Sequence, residues 1–178
     1  MMYQAPELWH ALMDKLVIQV IGYLELQIRS GVDAVQLFDT WVGSLSISDF
    51  VTYVKPHTQK LLNALKGQVP VIYFGTGNGH QLAEVATMGA DVLALDWRVP
   101  LADTWQQLNL PAVQGNLDPI ILCSDQATIA EQAARVLQEG SVRPGHIFNL
   151  GHGIIPETPV DNVKFLVDQV QAYARPQA

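Results

Sequence analysis

The chain has 178 residues, 49% of them hydrophobic and 15% charged. That composition suits one folded domain with a full-sized core rather than a disordered segment. Its formal charge of −7 argues against a nucleic-acid partner, whose phosphates need a Lys/Arg surface. No run of about 18 apolar residues is present to cross a membrane. The single cysteine, Cys123, excludes an internal disulfide and a cysteine-built zinc site, and fits a reducing cytoplasm. Glu7, His10 and Asp14 interrupt the first residues, which therefore do not read as a signal peptide. The expectation is one domain over residues 1–178.

Apolar residues at helical spacing, Leu8, Leu12, Leu16, Ile18, Ile21, Leu24 and Ile28, predict a helix from Pro6 to Ile28. Pro6 suits its start and Gly31 its stop. A strand follows, Val32 to Phe38. Asp49 is expected to cap the next helix, with Pro56 interrupting or restarting it before Gly67. Val69 to Phe74 is the second strand, and Gln81 to Met88 a short helix ended by Gly89. Asp91 to Leu95 is the third strand, followed by a helix near Leu101 to Leu108. Ala112 to Gln114 is a short fourth strand. Ser124 or Asp125 caps a helix running to Gln138, ended by Gly140. His146 to Leu150 is the fifth strand, and Val160 to Ala174 the closing helix.

The order is a helix followed by five β-then-α units. Strands such as Val71-Ile72-Tyr73-Phe74 are nearly continuous in apolar residues, as buried parallel strands must be. Two architectures fit: a five-stranded doubly wound sheet, or part of an eight-stranded β/α barrel. Periodicity does not choose between them.

Every strand ends in polar residues, and the carboxyl ends of parallel strands are where such folds carry chemistry. Asp39 and Thr40 follow the first strand. Asp39 could position or protonate a ligand and Thr40 could donate one hydrogen bond, although both residue types also cap turns. Gly75-Thr76-Gly77-Asn78-Gly79-His80 follows the second strand, with Asp96 about twenty residues on. That imitates a dinucleotide fingerprint, but its third glycine is His80 counted from Gly75 and Leu82 counted from Gly77. Asp96-Trp97 follows the third strand, a carboxylate beside an indole. Asn116 follows the fourth, within Gln114-Gly115-Asn116-Leu117-Asp118-Pro119, a segment also rich in turn formers. After the fifth come Gly151-His152-Gly153. Imidazole changes charge near neutral pH, so His152 suits a proton donor or a carboxylate ligand. His10 and His57 fall on helices and read as surface or packing residues. No HExxH, His/Cys metal spacing or GxSxG motif is present.

At these strand ends the chain resembles the C-terminal half of the uroporphyrinogen decarboxylase family. The resemblance rests on Met1-Met2-Tyr3, Leu37-Phe38-Asp39-Thr40-Trp41, Leu95-Asp96-Trp97, Gln114 to Pro119 and Phe148 to Gly153, and covers essentially the whole chain. It implies a partial (β/α)8 TIM-type barrel of about five parallel β/α units preceded by a helix. It implies a cytoplasmic homodimer that uses no metal or organic cofactor to decarboxylate the acetate side chains of uroporphyrinogen III to coproporphyrinogen III, a step of haem and chlorophyll biosynthesis. By this resemblance His152 is the catalytic candidate. Thr40, Asp39, Asp96, Asn116 and Gly151 are the substrate-binding candidates.

The family's N-terminal half carries the arginines that bind the acidic side chains, and the aspartate that faces the pyrroles. No residue here matches them. The chain is therefore expected to be incomplete and inactive alone, and to form a homo-oligomer or to associate with a missing N-terminal half. The other expectations are a non-catalytic fragment or interaction module, a nucleotide-binding doubly wound domain, and a corrinoid methyltransferase relative.

Overall fold

The computed structural model describes residues 1–174. Helix α1 spans Pro6–Arg29, with Pro6 in its first turn where no amide partner is needed. Strand β1 is Val35–Asp39. It starts later than the sequence predicts, because Gly31 takes a positive φ of 91° and the chain turns there. A 3-10 turn, Val42–Ser44, leads to α2, Ile47–Asp49. Ser46 caps α2, its side chain accepting from the Asp49 amide. The cap is therefore not Asp49, whose carboxylate instead accepts from Ser46 and Tyr3. Phe50–Val54 forms wider π-type turns, and α3, Lys55–Leu65, restarts at Pro56 as expected.

Next come β2 (Val71–Gly75), a 3-10 turn (Gly79–Gln81), α4 (Leu82–Val85) and β3 (Val92–Ala94). They are followed by α5 (Leu101–Gln107), β4 (Val113–Gln114) and a 3-10 turn over Pro119–Cys123 that Asp118 caps. The chain continues with α6 (Gln126–Gly140), β5 (His146–Ile147) and α7 (Val160–Ala174). Of the two caps expected for α6, Asp125 supplies it, its Oδ1 accepting from the Thr128 amide at 2.9 Å.

The sheet order is β1-β2-β3-β4-β5. Doubly wound sheets reverse direction at a switch point, and this order has none. The partial β/α barrel is therefore the architecture that fits, and the doubly wound reading is set aside. β1 and β2 pair in parallel from Val35 with Val71 to Asp39 with Gly75. β4 and β5 pair in parallel through Val113 with His146 and Gln114 with Ile147, and a bridge between Leu117 and Leu150 prolongs them.

By its contacts the chain divides into two compact units, Met1–Leu93 and Ala94–Ala178, the boundary falling inside β3. In the first, Phe50, Leu62, Leu65, Tyr73 and Met88 are essentially inaccessible to solvent. Each large side chain buried this way is worth roughly 1.5–3 kcal/mol. In the second, Trp105, Leu117, Leu122, Ile129 and Val136 fill the core. The Trp105 Nε1–H donates to the Leu110 carbonyl at 2.9 Å, and the Arg143 guanidinium covers the indole at 4.6 Å.

α1 buries a different face from the one its sequence suggests. Of the seven apolar residues that predict it, only Leu24 is buried, while Leu8, Leu12, Leu16 and Ile18 are exposed. Val17 and Leu24 are its buried residues, and Met13, Val20 and Ile21 are half-covered beside them. This helix is apolar on two sides, so periodicity alone cannot tell which one faces inward.

The same inward face brings together His10 and His57, which the sequence read as separate surface or packing residues. His10 Nδ1 lies 2.8 Å from His57 Nε2, and His57 Nδ1 lies 3.4 Å from Asp14 Oδ1. Tyr53 stacks on His10, and Lys60 bonds Asp14 at 3.1 Å. With both rings neutral, His10 N–H donates to His57, and His57 N–H faces the carboxylate. A second proton on His57 would oppose the His10 N–H. His57 is only 6% exposed. Burial holds its pKa below the ordinary value, assisted by His10 and Lys60 and opposed by Asp14.

A histidine depressed in the folded state takes up its proton more readily when unfolded, so stability rises with pH across this window. The melting temperature should be level above about pH 6.5 and fall as pH drops below it. In His57→Gln, whose side chain does not titrate, thermal melts should show a shallower acid decline. An equally steep decline would remove His57 as its source.

Candidate active site

In the first unit the strand-end residues are Asp39 and Thr40. Asp39 closes β1 opposite Gly75, and its Oδ2 accepts from the Tyr73 hydroxyl at 3.1 Å. Burial raises the Asp39 pKa, with the tyrosine bond opposing. Burial also raises that of Tyr73, with the Asp39 charge adding to it. The pair can therefore hold a proton on the carboxyl to higher pH than an ordinary aspartate would. Thr40 is exposed, as is Trp41 beside it.

The glycine-rich loop after β2 is tied to its own unit. Asn78 and Gln81 are buried, and the Gln81 Nε2 donates to the carbonyls of Val42 at 3.0 Å and Leu45 at 2.8 Å. These bonds anchor the loop to the turn after β1.

The second unit holds the denser cluster. The Asp96 carboxylate is 1% exposed. Its Oδ1 accepts from the Arg98 amide at 2.9 Å, and its Oδ2 pairs with Arg98 Nη1 at 2.7 Å. The Arg98 guanidinium then lies 3.5 Å over the Trp97 ring. On the same indole, His152 packs edge-on with ring centroids 6.0 Å apart. Asn116, also buried, donates from Nδ2 to the carbonyls of Asp96 at 3.0 Å and Val99 at 2.7 Å, so β4 clamps the loop after β3.

Two glycines allow this closeness. A Cβ on Gly115, which has φ +124°, would meet the Leu95 carbonyl at 2.9 Å. A Cβ on Gly151 would run into the backbone of Trp97. Gly153 has nothing within 4 Å of such a Cβ. Of the two glycines around His152, the first is thus fixed by packing.

The structure therefore gathers Asp96, Asn116, Gly151 and His152 in one unit, and places Asp39 and Thr40 at the strand end of the other. Sequence reading missed Arg98 and Tyr73. A lone arginine after Asp-Trp carries no motif. Tyr73 sits inside an apolar strand, where its hydroxyl gives no periodic signal. Among the described residues, no group of three His, Cys, Asp or Glu is placed to hold a metal ion.

Gly151→Ala should push the Trp97 loop away and change the near-UV circular dichroism of its indole, while Gly153→Ala should leave the spectrum unaltered. Matching spectra for the two variants would contradict the packing assigned to Gly151.

The profile of the family described as "Uroporphyrinogen decarboxylase (URO-D)" matches residues 1–173. Curated proteins named uroporphyrinogen decarboxylase are similar throughout. The one from Chloroflexus aurantiacus is 48% identical over 98% of this chain and 51% of its own length. The one from Sorangium cellulosum is 49% identical over the same shares. The chain thus spans about half the length of the curated relatives it matches. Among solved structures, a methyltransferase from Methanosarcina mazei superposes with a TM-score of 0.76 at 22% identity, over 89% of this chain and 48% of the other, a likeness of fold alone. On the match over residues 1–173, the chain belongs to the uroporphyrinogen decarboxylase family.

Proposed function

We propose that this chain contributes the C-terminal β/α units of a site that decarboxylates the acetate side chains of uroporphyrinogen III, giving coproporphyrinogen III in porphyrin biosynthesis. The observation that carries this reading is the family match over residues 1–173. The cluster of His152, Trp97 and Asp96 at strand ends supports it.

The chemistry asks for little covalent machinery. Breaking the bond between the acetate methylene and its carboxylate releases CO₂ and leaves an electron pair. A pyrrole ring that has first been protonated accepts that pair, a second proton on the methylene completes the methyl group, and the ring then gives back the first proton to restore the neutral pyrrole. The substrate is then its own electron sink, and the protein positions it, holds its charges and moves protons. His152 is the catalytic residue of this reading, as a carboxylate ligand and proton donor. Thr40 donates one hydrogen bond to substrate. Asp39, with its raised pKa, is the second proton source. Asp96, Asn116 and Gly151 frame the pocket wall.

The reading places the enzyme in the cytoplasm. It has the chain associate with the portion of the family sequence that it does not span. Leu8, Leu12, Leu16 and Leu26 offer an exposed apolar stripe on α1 for such an association. Sedimentation would separate that heterologous pairing from a homodimer of this chain.

The test is a decarboxylation assay on the purified chain, alone and mixed with the N-terminal half of a full-length relative. Activity should appear after mixing. A folded chain inactive in both conditions would count against the proposal. In the active mixture, His152→Ala should lower kcat/KM by at least tenfold. Thr40→Val should cost less, since one hydrogen bond is worth about 0.5–1.5 kcal/mol, or up to about 3 to a charged group. Unchanged kinetics for His152→Ala would remove it from the site. As a proton donor, Asp39 works only while protonated, so the rate should fall as pH rises through its raised pKa. Asp39→Asn should lose that limb of the pH–rate profile, and a profile of unchanged shape would exclude the role.

A further inference from the structure

We propose that Arg98 is a carboxylate-binding residue of the second unit, taking one acidic side chain of the tetrapyrrole beside His152. This rests on the decarboxylase reading above and names a cation for a site that otherwise has only an imidazole.

The geometry holds the guanidinium out in a fixed orientation. Asp96 is buried and accepts from both the Arg98 amide and Nη1, so the residue is held at backbone and tip. The ring of Trp97 supports one guanidinium face at 3.5 Å. Stacking occupies a face and leaves the in-plane N–H donors at the edges. Asp96 takes one edge at Nη1, and the side chain remains 53% exposed. An arginine with a stacked face and a free edge meets a carboxylate with two parallel hydrogen bonds and loses little further entropy.

The neighbourhood fits the same ligand. His152 packs against the same indole, so guanidinium and imidazole flank one aromatic ring. Asn116 fixes the loop from β4 by bonding the carbonyls on either side of it, those of Asp96 and Val99. The whole chain has 10 Lys and Arg against 17 Asp and Glu. A substrate bearing several carboxylates therefore gains from a cation placed at its contact point more than from the field of the protein as a whole.

The experiment is a fluorescence titration of the chain with uroporphyrin, the stable oxidised polyacid, and with its fully esterified form. Arg98→Gln should weaken uroporphyrin binding about tenfold, with Arg98→Lys recovering part of the loss. The salt dependence of binding should flatten in Arg98→Gln, and its affinity for the ester should match that of the unsubstituted chain. Equal affinity of Arg98→Gln and the unsubstituted chain for uroporphyrin would overturn the role of Arg98 and leave the decarboxylase reading standing. An equal loss for acid and ester would also overturn it, since Arg98 would then act only by supporting Trp97. No binding of uroporphyrin by the unsubstituted chain would also overturn this proposal, and the decarboxylase reading would then be decided by activity in the two-part mixture.

Discussion

A carboxylate that is 1% exposed must be paired, because an isolated buried charge costs several kcal/mol. Asp96 meets that requirement through Arg98, and the arrangement at the end of β3 follows from it. The chain turns back so that the Arg98 amide and guanidinium reach the two carboxylate oxygens. The turn sets the Trp97 ring under the guanidinium and against His152. Asn116 locks the same turn from the next strand, and the missing side chains of Gly115 and Gly151 let three strand ends approach closely. The polar residues here are thus partly buried supports and partly exposed donors, and the first kind fixes the second.

Much of the fold was legible in the sequence. Continuous apolar runs located the strands, Pro6 and Asp125 marked helix starts, and the turn formers after β4 lay where the chain bends. What failed did so for physical reasons. Both sides of α1 are apolar, so the stripe of Leu8, Leu12 and Leu16 fits a helix without facing inward. The cap of α2 is Ser46 rather than Asp49, because both can accept an amide and only position decides. Strand order lies beyond periodicity, and the chain-order sheet was needed to separate a barrel from a doubly wound sheet. The candidate site was legible at His152 and Asp96 because they stand at strand ends. The pairing of His10 with His57, 47 positions apart, and the stacking of Arg98 on Trp97 depend on tertiary contact.

Membership of the decarboxylase family gives these local facts a chemical setting. Its proposed substrate is a large polyacid, while this chain is itself acidic. Whole-molecule electrostatics therefore oppose binding, and the favourable terms must come from oriented local donors. A guanidinium fixed by a buried acid, with an imidazole against the same indole, supplies groups of that kind. The chain spans about half the length of its relatives, which is why activity is tied here to a complementary portion and binding to this chain itself.

The central claim is that the ends of β3, β4 and β5 form a preorganised ligand surface. The most direct measurement is a two-dimensional amide NMR titration of the chain with uroporphyrin, whose ring current shifts nearby protons strongly. The account predicts that the largest shifts fall on residues 96–98, 115–116 and 151–153. Shifts centred on the glycine-rich loop at residues 75–79, with the β3 and β5 ends unmoved, would contradict it.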